Sequence, residues 1–187
     1  MLMCRFASWF VLGMTALFAL ESVTAQAPQP PPKVAVQQPT AGIDAIMAYA
    51  GTWKVRGTRF ATPYSKAGEE DSTLRNECWK SGEYVACRQI VNGESKVMLV
   101  FTYSDLLKMY TSYPILQNGE AATAGRLQIV GNVWTFPWEV TQGGATTYFR
   151  VVNVFTGTDH IDYAQEFSPD NVHWTRMATG SETKVGN

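Results

Sequence analysis

Histidine and cysteine are scarce, with two and three copies respectively among 187 residues. His160 and His173 stand apart, no His-x-Glu pair accompanies them, and the cysteines are not clustered. A zinc site therefore has nothing to be built from. An excess of one charge is missing too, since 15 Lys and Arg face 16 Asp and Glu for a formal net charge of −1. With no basic run either, no long-range field draws the chain to nucleic acid or to anionic lipid. Phosphate loop, dinucleotide fingerprint and Gly-x-Ser-x-Gly elbow are all absent, so no enzyme is expected. Asp162 and Glu166 share a strand face with His160, but that set reads as a solvated outer surface.

No apolar stretch reaches the roughly 20 residues that a membrane-spanning helix needs. The longest, residues 6–20, follows Arg5 and precedes the small residues of 21–27. A positive residue, an apolar run and a small-residue stretch, in that order, make a cleavable signal peptide. Two sites fit, after Ala25 (Val23-Thr24-Ala25) and after Ala27 (Ala25-Gln26-Ala27). Pro28 would follow the second, and proline directly after the scissile bond is a poor substrate, so Ala25 is favoured. Residues 1–25 thus read as a signal peptide. The mature chain is expected to be periplasmic or secreted, with no stable membrane insertion after cleavage. Cys4 leaves with the signal and lies before the apolar run, so it is not a lipoprotein acylation site. Residues 26–42 are rich in Pro, Gln and Ala, have no apolar period, and read as a disordered, extended linker.

Residues 43–187 read as one all-β domain. A short helical turn over 43–50 leads to Gly51, and from Thr52 onward no helix is long enough for a βαβ crossover, which excludes a parallel sheet. Turn signals such as Gly82-Glu83, Asn92-Gly93, Gly131-Asn132, Gly143-Gly144 and Pro169-Asp170 cut the rest into roughly ten antiparallel strands joined as hairpins. A meander of that length must hide its edges, so an up-and-down barrel or a sandwich is expected. A two-residue turn at Gly82-Glu83 sets Ser81 opposite Tyr84 and Cys78 opposite Cys87, on a non-hydrogen-bonded pair where a disulfide fits. The same register sets Glu77 opposite Arg88 and Trp79 opposite Ala86. Carried through Asn92-Gly93, it pairs Ala86 with Leu99 and Arg88 with Val97. One face then collects Trp79, Tyr84, Ala86, Ile90, Val97, Leu99, Phe101 and Tyr103, with Arg75, Glu77 and Arg88 among them, and is expected to be the inner one. Trp134, Phe136 and Trp138 also point inward. If the Gly143-Gly144 loop holds an odd number of residues, Tyr148, Val152, Val154, Ile161, Tyr163 and Phe167 join them, and Arg150, Trp174 and Arg176 are placed inside.

The Gly51-Thr52-Trp53 start and an Arg176 in the final strand resemble the Gly-x-Trp signature of the calycins, the lipocalins and their relatives. With Thr102-Tyr103-Ser104, Lys108-Met109-Tyr110, Gly125-Arg126-Leu127 and the Ser168-Pro169-Asp170 turn, the chain also looks like the lipocalin-like bacterial proteins of the DUF1579 type over about residues 48–183. The resemblance implies a barrel with an interior cavity and a small-molecule ligand. It also implies that Trp53 closes one barrel end against Arg176 by a cation–π contact.

In fatty-acid-binding relatives, interior arginines and a tyrosine hold a carboxylate. The resemblance carries that role to Arg75, Arg88, Arg150 and Tyr103 or Tyr110, with Trp138 in the aromatic wall. Arg88 also has Glu77 as a purely structural partner. The expected ligand is a small apolar or amphipathic molecule, with an acidic head as an option, and no cofactor is required. Two alternatives stand beside this reading. Nitrobindin-like barrels share the Gly-x-Trp start and bind haem through a histidine, but here only Gly57 follows and both histidines fall on the outer face. An envelope interaction protein, with the barrel as scaffold and the Pro-rich segment as spacer, is the other. The signal reading predicts that N-terminal sequencing of the exported protein begins at Gln26; an N-terminus retaining residues 1–20 would refute it.

Overall fold

The computed structural model describes residues 42–187. The residues read as a signal peptide, and those of the expected linker up to residue 41, lie outside the described residues. A short 3-10 helix, Ile43–Tyr49, precedes ten strands. These are β1 (Gly51–Arg59), β2 (Gly68–Ser81), β3 (Tyr84–Val91), β4 (Glu94–Ser104) and β5 (Met109–Leu116). The second half holds β6 (Gly125–Val130), β7 (Val133–Gln142), β8 (Ala145–Thr156), β9 (His160–Ser168) and β10 (Thr175–Gly186). Each strand pairs antiparallel with its neighbour in sequence, and β1 pairs with β10, so the sheet closes into an up-and-down barrel. Closure leaves no edge strand exposed.

Local turn chemistry sets the hairpins where expected. Asn92 and Gly93 both have positive φ, 50° and 85°, as a two-residue turn between right-twisted strands requires. Between β2 and β3, Ser81 faces Tyr84 and Cys78 faces Cys87, and the two sulfurs are bonded across a Cα separation of 4.0 Å.

The inner face of this first hairpin is the reverse of the expected one. β3 and β4 start in the expected register, with Val91 opposite Glu94 and Ile90 opposite Ser95. Gln89 then faces Val97, and Cys87 faces Leu99. Lys96 is the extra residue of a β-bulge, and one extra residue exchanges the two faces of everything beyond it. Val97, Leu99, Phe101 and Tyr103 do point inward, but their partners inside are Val85 and Cys87, with Leu74 and Cys78 of β2 packed on the same core. Arg75, Glu77, Trp79, Tyr84 and Arg88 stand on the outer face, where Trp79 is 46% exposed.

A second parity change lies at Gly143-Gly144. Gln142 pairs with Ala145, so the turn holds an even number of residues. Phe149, Asn153 and Phe155 consequently face inward, opposite Trp138, Trp134 and the β6–β7 turn, while Tyr148, Arg150, Val152 and Val154 face outward. The longer turn after Thr156 returns Ile161, Tyr163 and Phe167 to the interior. Arg176 pairs with outward-facing Glu166, so it too is outside.

The short helix plugs one end of the barrel. Ile46 and Trp53 are fully buried there, and the Trp53 indole donates to the Tyr49 carbonyl at 3.0 Å. The Tyr49 ring meets Trp134 and Phe155 edge-on, with centroids 5.2 and 5.3 Å away. Trp53 does close this end as the resemblance implies, but not against Arg176, which lies at the far end of β10. The cation over its ring is Lys184, with Nζ 5.5 Å from the centroid. Register explains the exchange, because Lys184 is the residue of β10 directly opposite Trp53.

The Cys78–Cys87 bond tethers the core-facing wall of one hairpin and constrains a short loop in the unfolded chain. Replacing both cysteines by serine is expected to lower unfolding free energy by about 2–3 kcal/mol. Urea melts of the double variant and of reduced wild type should agree; an unchanged midpoint would show the tether to be dispensable.

Candidate functional site

Three of the expected ligand-binding side chains are not in the lumen. Arg75 lies 2.9 Å from the Glu77 carboxylate, and the Arg88 Nε donates to the same group at 2.7 Å, all on the outer wall. The hydrogen bond from Arg88, followed by the two guanidinium charges, lowers the Glu77 carboxyl below its usual range. Arg150 donates to Glu166 at 2.7 Å, and its guanidinium covers the Trp174 ring at 3.9 Å. Both oxygens of buried Glu166 are used, the second by Arg176 at 3.1 Å. Inverted parity is the reason in each case.

The other three do face the lumen. Tyr103 and Tyr110 are cross-strand partners whose rings lie 4.6 Å apart. The Tyr110 hydroxyl is committed to the chain itself, donating to the Gly42 carbonyl at 2.9 Å, so it fastens the start of the plug helix. Trp138 sits at the opposite end, stacked on Phe149 at 5.4 Å and 45% exposed. There the β1–β2 loop leans across the barrel. Its Tyr64 ring lies 5.1 Å from Phe149 and 4.9 Å from Phe167, and its hydroxyl is 3.1 Å from Thr147 Oγ1.

Between this end and the plug, the inner wall is incompletely covered. Leu74, Leu99, Phe136, Val151 and Gln165 all occupy inward positions, yet each is only partly buried. Within this stretch lies a polar patch that the sequence reading did not single out. Tyr163, Gly180, Gly57 and Glu70 form one row across β9, β10, β1 and β2. The Tyr163 ring lies flat over the two glycines and donates its hydroxyl to Glu70 at 3.1 Å. A Cβ on Gly57 would approach the Tyr163 hydroxyl to 2.4 Å, and one on Gly180 the Arg56 carbonyl to 2.2 Å, so both positions exclude a side chain. The next row toward the plug holds Ile161, Glu182, Val55 and Ser72.

Glu182 is 8% exposed, and its Oε2 has no hydrogen-bond partner in the protein. Burial, reinforced by the charge of Glu70, raises its carboxyl from the ordinary 4.5 to about 7. Burial and then the Glu70 charge push the Tyr163 phenol far above its usual value, and burial followed by Glu182 does the same for Tyr49. The only sequence signal for this patch was an isolated glycine in each of two strands, which marks a close approach.

Among the described residues, no group of three or more His, Cys, Asp or Glu is placed to hold a metal. His160 pairs with Asp162 at 3.1 Å and His173 with Asp170 at 2.7 Å, both on the outer surface, so neither presents a haem ligand to the lumen. A depression of about 260 Å³ lies elsewhere, over β1 and β10, lined by Lys54, Arg56, Ser181, Thr183 and Val185. Its two cations are already paired with Asp71. No described helix is long and apolar enough to cross a membrane. The Cys78–Cys87 disulfide is consistent with an extracellular or periplasmic protein.

No family model matches the chain, and no curated protein matches it. Among solved structures, it is similar to the crystal structure of Rv2717c from M. tuberculosis. The two share 11% identity over 80% of this chain and 99% of the other, with a TM-score of 0.48.

A carboxyl raised in the folded state favours folding when protonated. Glu182 therefore contributes stability below about pH 4.5 that is lost as pH rises through about 7. The full swing is on the order of 3 kcal/mol. Glu182→Gln is expected to remove that loss, so that urea midpoints of the variant change less between about pH 5 and pH 8 than those of wild type. Identical slopes would place the titration elsewhere.

Proposed function

We propose that this protein is an exported, non-enzymatic binding protein that holds one small, largely apolar molecule in its barrel lumen. One observation carries this reading: inward-facing apolar side chains remain partly exposed between a plugged end and an aromatic mouth. A core serving stability alone would be packed to crystal-like density. Here the wall near the Tyr64 end keeps a large ring, Trp138, in contact with water. Barrels of this size can enclose one small ligand, and such sites are mostly apolar with a few placed polar groups. The lipocalin-like resemblance supports the same reading through the fold it implies, with Trp53 under a short helix at the closed end.

Entry is assigned to the Tyr64 end, because the opposite end is filled by Ile46, Tyr49 and Trp53. An apolar molecule entering there meets Trp138, Phe149 and Phe167 first. Export fits the Cys78–Cys87 bond and the N-terminal pattern of the sequence.

Titration with an apolar fluorescent probe tests the reading. Wild type is expected to bind it with one-to-one stoichiometry, and Trp138→Ala to weaken binding by about tenfold through the lost ring contact. Native mass spectrometry of protein purified from its own envelope should show an added small mass. An empty barrel that also takes up no probe would overturn the proposal.

A further inference from the structure

Resting on the reading of the lumen as a ligand site, we infer that the ligand's polar end is an N–H-donating cation, such as an ammonium, held by Glu182 and Glu70. The site lies on the inner wall where β10, β1 and β2 meet. Glu182 projects into it from β10, more than nine-tenths buried, with one carboxylate oxygen that no group of the protein satisfies. A buried carboxylate oxygen without a donor is costly, and a donor on a molecule in the lumen would relieve that cost. Glu70, one row nearer the mouth, presents a second carboxylate and is oriented by the Tyr163 hydroxyl.

Among the described residues, neither the arginines nor Lys184 form an ion pair with Glu182 or Glu70. Lys184, the next inward residue on β10, is drawn over the Trp53 ring. Arg59 belongs to the row closest to the mouth and is exposed; its charge reaches the Tyr163 phenol from there. Arg75 and Arg88 are spent on Glu77, and Arg150 and Arg176 on Glu166, all outside. The remaining titratable groups near Glu182 are the phenols of Tyr49 and Tyr163, both held neutral by burial. An acidic head group would meet two carboxylates here, so the lumen selects against the fatty-acid type of ligand. A metal ion is a poor match as well, since two carboxylates without a third acidic, His or Cys ligand make an incomplete cage. An ammonium brings three donors on one small centre and can satisfy Glu182 and Glu70 together. Glu182 lies deeper than Tyr163, so the head enters first and the apolar tail extends toward Trp138.

The test uses the full chain and three probes with the same alkyl chain: dodecylamine, dodecanol and dodecanoate, each below its micelle concentration. At about pH 8, dodecylamine is expected to bind about tenfold more tightly than dodecanol, and dodecanoate more weakly than either. Glu182→Gln should bring the amine to the level of the alcohol while leaving the alcohol unchanged, and Glu70→Gln should also weaken the amine. Because the bound cation favours ionised Glu182, amine affinity should rise as pH increases from about 6 to about 8. Circular dichroism melts of both variants verify folding, and removal of a buried ionisable group is expected to leave them stable. Equal affinities for the three probes, or amine binding unmoved by Glu182→Gln, would overturn the cation assignment alone. Failure of all three to bind would overturn the lumen reading itself, and this inference with it.

Discussion

A strand side chain has two directions, and in a closed barrel one of them is the lumen. Every chemical property of this interior follows from how that choice is made strand by strand. Lys96 makes it for the first hairpin, because the bulge at this one residue turns the disulfide and Val85 inward and sends Arg75, Arg88 and Trp79 out. The even turn at Gly143-Gly144 makes it for β8, sending Arg150 out and Asn153 and Phe149 in. Two small adjustments therefore move three guanidinium groups from the lumen to the surface.

That redistribution separates the arginines from the two inward carboxylates, Glu70 and Glu182. Outside, each of these three arginines has a carboxylate within hydrogen-bond distance, in water or near it, where such pairs are weak but cost little. Inside, Glu70 and Glu182 keep their charges apart from those cations, and burial makes the Glu182 carboxyl reluctant to ionise. The glycine pair Gly57 and Gly180 allows Tyr163 to lie flat and reach Glu70, so backbone shape, aromatic packing and electrostatics meet in one row. A carrier of anionic lipids would have the opposite arrangement.

The plugged end shows how a barrel acquires direction. The Trp53 indole, the Tyr49 carbonyl and ring, and the Tyr110–Gly42 hydrogen bond lock the short helix over one opening. Lys184 completes the seal by lying over the Trp53 face. With this end filled, the loop carrying Tyr64 lies at the end where the inner ring of Trp138 is exposed to water.

Hairpin order, the antiparallel meander, the Cys78–Cys87 pairing and the inward set Trp134, Phe136 and Trp138 were all legible in the sequence. Each depends on residues adjacent in the chain: a turn dipeptide sets its own register, and alternation sets which neighbours share a face. Which of the two faces is the inside was not legible for β2, β3 and β8, because it depends on bulges and turn lengths that carry no strong residue signature. The partner of Trp53 was decided only by closure, where the β1–β10 register brings Lys184 rather than Arg176 into place. Nothing in its neighbours Ser181, Thr183 and Lys184 marked Glu182 as buried, and only ring closure packs it between Val55 and Ile161. Local chemistry wrote the strands; the global count of residues around the barrel decided what the lumen contains.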